Sequence, residues 1–337
     1  MPETSFTPTK EWNVTDELSP SVSDAIWDIN QESPRQLISD LLTHEQRSKR
    51  SIKHSVLVGN NPGEYSATDA LVIFNPFANG LTPNMLVRGE FVRRVAKFRG
   101  VTDDEGKYKP VILLANPDLR DCNLRYIDKT DTELVRQGEF GPHAKELLGA
   151  VSERGFGRVS LAGFSLGADM VLAAGREAYS GNLDVAAIAI GDPVGVESRS
   201  RRTLLRDFTR TGNKALKQSI NNSGIEAQKV ATDGLVGLVS FGISAAVIKA
   251  NRAQYKGMGV DSFIGRSYEI IKQGKVGKIT VAYGSESLIT KPTSIEPSLA
   301  LIDEDYPNRV ESIKVNGANH AWGDQLTLLA RLYMRAA

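Results

Sequence analysis

Cysteine and histidine are scarce in this chain, and their scarcity removes several kinds of chemistry. Cys122 is the one cysteine among 337 residues, so no intramolecular disulfide can form. The same shortage excludes a cysteine-rich zinc site, and no cluster of histidines and carboxylates has the spacing of metal ligands. We therefore expect a protein that uses neither a metal nor a cofactor.

An excess of charge of one sign is also missing. The 41 basic and 40 acidic side chains leave a net charge of +1. A general nucleic-acid binder carries a marked basic excess, so we expect no nucleic-acid partner. The amino-terminal residues are polar and acidic, without the basic stretch and apolar core of a signal peptide, which predicts a cytoplasmic protein.

No apolar run is long enough to cross a membrane. The longest candidate, residues 235–248, is apolar apart from small Gly and Ser residues. A bilayer span needs about 20 residues, so we expect no stable membrane insertion. Two interpretations of this run stay open: it lines a pocket for an acyl chain, or it forms the interior of its own helical segment.

Apolar runs instead alternate with helical patterns, and 41% of the residues are hydrophobic, enough for a large core. Strands are predicted at residues 54–58, 70–74, 110–115, 158–162, 184–190, 278–283 and 310–315, and helices at 85–98, 132–154 and 168–179. Strands that are apolar on both faces favour an α/β protein with a mostly parallel, doubly wound sheet.

The places where strands and helices stop alternating along the sequence predict the domain organisation. Residues 1–49 read as a mobile polar arm, up to about residue 20, followed by a helical segment. Residues 50–195 and 275–337 form the α/β core, and residues 196–274 form a helical lid inserted into it. The first part of the lid is basic, which suits an anionic substrate, a membrane surface or a simple solvated face; its basic residues are Arg199, Arg201, Arg202, Arg206, Arg210, Lys214 and Lys217.

Ser165 stands at the centre of a Gly-x-Ser-x-Gly turn between a buried strand and a helix rich in Ala and Leu. A serine at the tip of such a tight turn is held in a strained backbone conformation, so Gly163 and Gly167 are needed for neighbouring backbone to pass closely. The turn also aims the helix N-terminus and the amide of Leu166 at whatever the serine attacks. This context predicts that Ser165 is a nucleophile.

A nucleophilic serine needs a base, and the order along the chain selects one histidine. The chain contains four: His44, His54, His143 and His320. The first three precede the serine, whereas His320 follows a strand-like run and a loop near the C-terminus. A histidine between a late strand and a final helix fits the order serine, acid, histidine.

Two carboxylates end predicted strands between the serine and the histidine. Asp192 follows residues 185–191, and Glu286 follows residues 278–284. The carboxyl ends of parallel strands emerge at one edge of the sheet, so both would lie near the site. Glu286 is one strand closer to His320 and is the preferred acid. Asp192 remains the alternative, although an Asp before Pro193 also starts turns.

Together these motifs resemble the α/β-hydrolase fold superfamily of serine esterases and lipases, over roughly residues 50–337. The resemblance implies an acid after the strand that follows the lid, which favours Glu286. Pancreatic-type lipases place the acid one strand earlier, at a segment similar to Asp192 and Pro193. The late loop of this chain, residues 284–287, is one residue shorter than the usual spacing and carries Glu, so Asp192 is retained.

The resemblance also implies a second oxyanion donor in the loop after an early strand. Here that loop begins Asn75-Pro76, where many relatives have His-Gly. By position, the amide of Phe77 or Ala78 would act together with that of Leu166, since Pro76 has no amide hydrogen.

The predicted function is a serine hydrolase that cleaves an acyl ester through an acyl-enzyme intermediate. The substrate is expected to be a small or lipid-like ester. Two alternatives stay open: a non-catalytic binding or structural module with the same fold, and a hydrolase that acts on a thioester or an amide.

Overall fold

The structure is a computed structural model, and it describes residues 6–15, 55–58, 63–76, 83–114, 129–178, 183–211, 252–274 and 276–337. The helical segment expected near residues 21–48 and the apolar run at 235–248 lie outside the described residues.

The described residues form one sheet of eight strands: β1 Lys10–Asn13, β2 Ser55–Val58, β3 Asp69–Phe74, β4 Val111–Leu114, β5 Arg158–Phe164, β6 Asp184–Gly191, β7 Ile279–Gly284 and β8 Val310–Asn316. Across the sheet the strands lie in the order β2-β4-β3-β5-β6-β7-β8-β1. Neighbouring strands are parallel except β2 and β4, which are antiparallel. The mostly parallel sheet predicted from the sequence is confirmed.

Helices cover both faces of this sheet. They are α1 Pro83–Phe98, α2 Lys129–Arg136, α3 Gly141–Ser152, α4 Leu166–Ala178, α5 Arg252–Gly257, α6 Phe263–Lys272, α7 Pro292–Asp305 and α8 Leu326–Tyr333, with further helical residues at 201–211 and a 3₁₀ turn at His320–Asp324. The single helix predicted at 132–154 is in fact α2 and α3. The chain breaks between them because Gly138 adopts a φ of 84°, which a helix cannot accommodate.

The residues of β3 show why both faces of the strands are apolar. Alternate side chains, such as Val72 and Phe74, belong to a core shared with α3, α4, α6 and α7. The intervening side chains Leu71 and Ile73 belong to a second core with α1 and α8. Because side chains of a strand alternate between faces, a sheet covered on both sides requires continuous apolar runs.

The amino-terminal arm differs from the prediction. Residues 1–20 were expected to form a mobile arm, but β1 pairs with β8 at the edge of the sheet. The amide of Thr9 also donates to Oγ of Ser312 at 2.9 Å. Trp12 is 4% exposed, and the guanidinium of Arg331 lies 4.3 Å from the centre of its indole ring. A strand of four residues with one large apolar side chain is too short to produce a recognisable alternation.

Part of the predicted lid lies in the helix layer of the core. Helix α6 packs against α4 and buries Phe263, Ile270 and Ile271, so it does not simply cover the sheet edge. The helical residues 201–211 do expose their basic side chains at Arg201, Arg202, Arg206 and Arg210. Within the described ranges, every helix is too short or too polar to cross a membrane.

Candidate functional site

Ser165 occupies the turn between β5 and α4. Its φ is 58°, in the left-handed region that non-glycine residues rarely adopt. Its amide donates to the carbonyl oxygen of Gly191 on the neighbouring strand at 2.8 Å, and its carbonyl accepts from Ala168 at 2.9 Å. The strained turn is therefore held from both sides by backbone hydrogen bonds, as the residue at the tip of such an elbow requires.

The two glycines beside the serine are required by close backbone approaches. A Cβ at Gly163 would fall inside contact distance of the carbonyl oxygen of Gly167. A Cβ at Gly167 would likewise collide with the carbonyl oxygen of Phe74, the last residue of β3. Because both obstacles are backbone atoms, no side-chain rotation can relieve them. These contacts bring the end of β3 against the start of α4.

His320 begins the 3₁₀ turn that follows β8. Its Nε2 atom lies 2.9 Å from Oγ of Ser165. The imidazole is buried between two aromatic rings: Phe164 lies 5.3 Å away between ring centroids, and Phe208 lies 5.7 Å away in an edge-to-face arrangement. The serine and the histidine predicted from the sequence are thus within hydrogen-bond distance in a site largely closed to water.

Asp192 follows β6 and faces the other side of the imidazole. It is fully buried, and its φ of 42° is again in the left-handed region. Its Oδ2 atom lies 3.2 Å from Nδ1 of His320. This is ion-pair distance, but Nδ1 is not aligned for a hydrogen bond in this conformation. Oδ1 accepts the amide of Gly284 at 3.0 Å, and Oδ2 also accepts Nε1 of Trp322 at 3.1 Å.

Glu286, the acid preferred from the sequence, is placed differently. It is exposed, and its backbone amide donates to the carbonyl oxygen of Ala318 at 2.8 Å. At the end of β7, the amide of Gly284 donates to the carboxylate of Asp192. Two residues later, at Glu286, the chain has reached the surface. The geometry therefore favours Asp192 over Glu286 as the partner of His320.

A second buried carboxylate ties the helix of the elbow to the loop after β6. Asp169 on α4 accepts the amides of Val194 at 2.9 Å and Gly195 at 3.1 Å. Burial raises the pKa of Asp169 above its ordinary value, and the nearby Arg266 guanidinium and these amides oppose that effect. Because this loop begins directly after Asp192, Asp169 helps to fix the position of Asp192 relative to Ser165.

The predicted oxyanion donors are described only in part. Leu166 is buried and is the first residue of α4, so its amide belongs to the first four N–H groups of the helix, which have no hydrogen-bond partner within the helix. Phe77 and Ala78 lie outside the described residues. The amide of Asn75, just before that loop, donates to the carbonyl oxygen of Leu114 at 3.1 Å.

Sequence reasoning missed three contributors to the site: the indole of Trp322, the amide of Gly284 and the ring of Phe208. For Trp322 a signal existed, because a tryptophan next to a candidate histidine needs a partner for its N–H group when it is buried. Among the described residues, no group of three or more His, Cys, Asp or Glu side chains is arranged to hold a metal ion.

Comparison with known proteins identifies the fold. Neither a family model nor a curated protein sequence matches the chain. A bromoperoxidase from Bacillus anthracis is similar in structure with a TM-score of 0.50 at 14% identity, over 83% of this chain and 94% of that one. The chain has the α/β-hydrolase fold.

Two other solved structures are similar at a lower level. A hydrolase from Oleispira antarctica has a TM-score of 0.48 at 12% identity and covers 85% of this chain and 95% of its own. A study of carboxylesterases from Nitrososphaera gargenis provides a structure with a TM-score of 0.47 at 15% identity, covering 86% of this chain and 96% of that one.

Proposed function

We propose that this chain is a serine hydrolase that cleaves an ester bond through an acyl-enzyme intermediate. The observation that carries the proposal is the 2.9 Å approach of Oγ of Ser165 to Nε2 of His320, with the buried carboxylate of Asp192 beside the opposite ring nitrogen. A serine is a weak nucleophile unless an adjacent base removes its proton, and a carboxylate stabilises that base once it is charged.

In the first half of the reaction, Oγ of Ser165 forms a bond to the carbonyl carbon of the ester while His320 accepts the hydroxyl proton. The carbonyl electron pair moves to its oxygen, which becomes an oxyanion. When the oxyanion collapses, the bond to the leaving alkoxide breaks, and His320 returns the proton to it. The products are a free alcohol and an acyl group attached to Ser165.

In the second half, water replaces the serine as the nucleophile. His320 removes a proton from water as its oxygen attacks the acyl carbon, and it then returns the proton to Oγ of Ser165 as that bond breaks. A carboxylic acid is released. The amide of Leu166 donates to the oxyanion in both halves, a contribution that can reach about 3 kcal/mol for one donor.

The apolar surroundings of His320 support an acyl group as the substrate's reacting portion. The rings of Phe164 and Phe208 flank the imidazole. Phe208 belongs to the helical residues 201–211, so we assign this helix as the part of the lid that closes over the site. The expected substrate is a small or lipid-like ester with an apolar acyl chain.

Covalent labelling with a fluorophosphonate probe tests the proposal directly. Wild type should be labelled, and Ser165→Ala and His320→Ala should not. The matched control is Ser160→Ala: Ser160 is also buried, it lies on β5, the strand that leads to Ser165, and its hydroxyl has no hydrogen-bond partner among the described residues. If folded wild-type protein is not labelled by the probe, the non-catalytic module is favoured. If the protein is labelled and cleaves thioesters or amides but not esters, the assigned substrate class is wrong.

The identity of the acid is tested by two isosteric replacements. Asp192→Asn should lower kcat by about 10³- to 10⁴-fold, because the imidazole loses its orienting charge. Glu286→Gln should leave kcat within about twofold, since that side chain is exposed. A large loss in Glu286→Gln with little loss in Asp192→Asn would reverse the assignment.

A further inference from the structure

Trp322 lies on the same 3₁₀ turn as His320 and points its polar atom at the same carboxylate. Its ring is 2% exposed, and Nε1 donates to Oδ2 of Asp192 at 3.1 Å. Nδ1 of His320 approaches that same oxygen at 3.2 Å. One buried oxygen atom therefore faces both the indole and the imidazole.

The two contacts to this oxygen differ in quality. The indole contact satisfies hydrogen-bond geometry, whereas Nδ1 of His320 is not aligned for one. The carboxylate of Asp192 is thus held by two neutral donors, the amide of Gly284 on Oδ1 and the indole of Trp322 on Oδ2. Hydrogen bonds to a charged acceptor are roughly twice as strong as those between neutral groups, so these donors fix the carboxylate without help from the histidine.

Packing keeps the indole in this orientation. Its ring meets that of Phe164 edge to face, with centroids 4.9 Å apart and an interplanar angle of 88°. Phe164 immediately precedes Ser165 and also contacts the imidazole. The next residue after the tryptophan, Gly323, has no room for a side chain because a Cβ there would overlap the ring of Phe164. The indole thus packs against the residue that immediately precedes the nucleophile.

We propose that Trp322 is a positioning residue of the hydrolase proposed above, on which this inference rests. Its N–H group holds the carboxylate of Asp192 so that Oδ2 faces Nδ1 of His320. This keeps the imidazole proton on Nδ1 and leaves Nε2 free to accept the proton of Ser165. Trp322 acts through Asp192 and does not touch the reacting atoms.

Trp322→Phe tests this role because it removes the donor and keeps most of the ring. The rate of fluorophosphonate labelling and kcat for an acetyl ester should fall about 10- to 100-fold, with KM unchanged, because the effect is on alignment and not on binding. Trp12→Phe, at another buried tryptophan on the edge strand β1, is the matched control and should stay within about twofold of wild type.

A double-mutant cycle separates positioning from packing. If Trp322 acts through the carboxylate, adding Trp322→Phe to Asp192→Asn should slow the enzyme by less than about threefold, because the partner charge is already gone. The same fold-loss in both backgrounds would mean that the indole acts by packing, and would overturn the role. If the probe labels wild type and labels Trp322→Phe at the same rate, the proposed role of Trp322 is overturned as well.

A measurement in folded protein covers the case in which Trp322→Phe does not fold. The chain has three tryptophans, so ¹⁵N-labelled protein gives three indole N–H signals at most. Asp192→Asn should move one of them and leave the others in place, because only one indole should lose a charged acceptor. If no indole signal moves in folded Asp192→Asn, the role is overturned. If wild type is not labelled by the probe, the proposed function fails, and this role fails with it.

Discussion

Replacing Glu311 by glutamine should remove a stabilising charge cluster at the edge of the sheet. Glu311 on β8 is 2% exposed and lies among cations. Arg335 donates to it through Nε at 3.0 Å, Nζ of Lys10 lies 2.7 Å away, and Oγ1 of Thr280 donates at 3.1 Å. Burial by itself raises the pKa of Glu311, but the hydrogen bonds from Arg335 and Lys10 outweigh it and hold the pKa at about 2.

The size and sign of the effect follow from this pKa. An unfolded glutamate titrates near 4.5, and the difference from about 2 corresponds to about 3.5 kcal/mol of folding free energy at about 1.4 kcal/mol per pKa unit. Because the folded pKa is the lower one, the stabilisation is complete above pH 4.5. It is lost as the pH falls from 4.5 to about 2. At pH 7, Glu311→Gln should therefore lower Tm by about 5 °C, at about 1.4 °C per kcal/mol for a chain of 337 residues.

Thermal or urea unfolding between pH 7 and pH 2.5 provides the assay. The gap between wild type and Glu311→Gln should narrow steadily below pH 4.5, because the carboxyl group of Glu311 binds a proton in the unfolded chain before it does so in the folded protein. The control is Glu105→Gln, since Glu105 is 74% exposed and pairs with Lys107 at 3.1 Å. It should change stability by less than about 0.5 kcal/mol. A gap of equal size at pH 7 and pH 2.5 would refute the reasoning.

Two further predictions concern the elbow and the aromatic wall. Gly167→Ala should destabilise the fold by at least about 3 kcal/mol in urea unfolding and abolish labelling by the probe, because the new Cβ collides with the backbone of Phe74. The control Gly149→Ala should stabilise the fold by about 0.5–1 kcal/mol, because the space around Gly149 is open and alanine favours a helix. Equal effects of the two would contradict the packing argument. Phe208→Ala should lower kcat/KM for an octanoyl ester more than for an acetyl ester, whereas the exposed Phe98→Ala should alter neither. An unchanged ratio in Phe208→Ala would count against the acyl-binding role.

The central strands and the elbow could be predicted because their signals are local. Strand β3 was predicted at 70–74 and spans Asp69–Phe74, and β5 was predicted at 158–162 and spans Arg158–Phe164. Both are buried along nearly their whole length, so every position after the first residue of each strand is apolar or small. The turn at Ser165 is likewise defined within five consecutive residues by the backbone approaches at Gly163 and Gly167.

The choice of acid could not be made from local patterns. Asp192 and Glu286 both follow buried strands, and what separates them is a hydrogen bond from Gly284 to Asp192 across 92 positions of sequence. The left-handed backbone at Asp192 directs its carboxylate inward, and the sequence around Asp192 contains no pattern that predicts this backbone conformation. Pairings of this kind depend on how strands are arranged in space.

The edge strand β1 was missed for a related reason. Its four residues gain their order from β8 and from the contact of Trp12 with Arg331, neither of which is visible in residues 6–15 alone. The division of residues 132–154 into two helices was missed because a single glycine, Gly138, breaks an otherwise continuous helical pattern.

The pairing of β1 with β8 has a consequence for the order in which the protein is made. Thr9 and Ser312, which share a hydrogen bond, are 303 positions apart. At ribosomal speeds of about 5–20 residues per second, the first strand is synthesised about 15 to 60 s before its partner. During that interval β1 has no strand to pair with. The earliest of the described strands is thus among the last that can join the sheet.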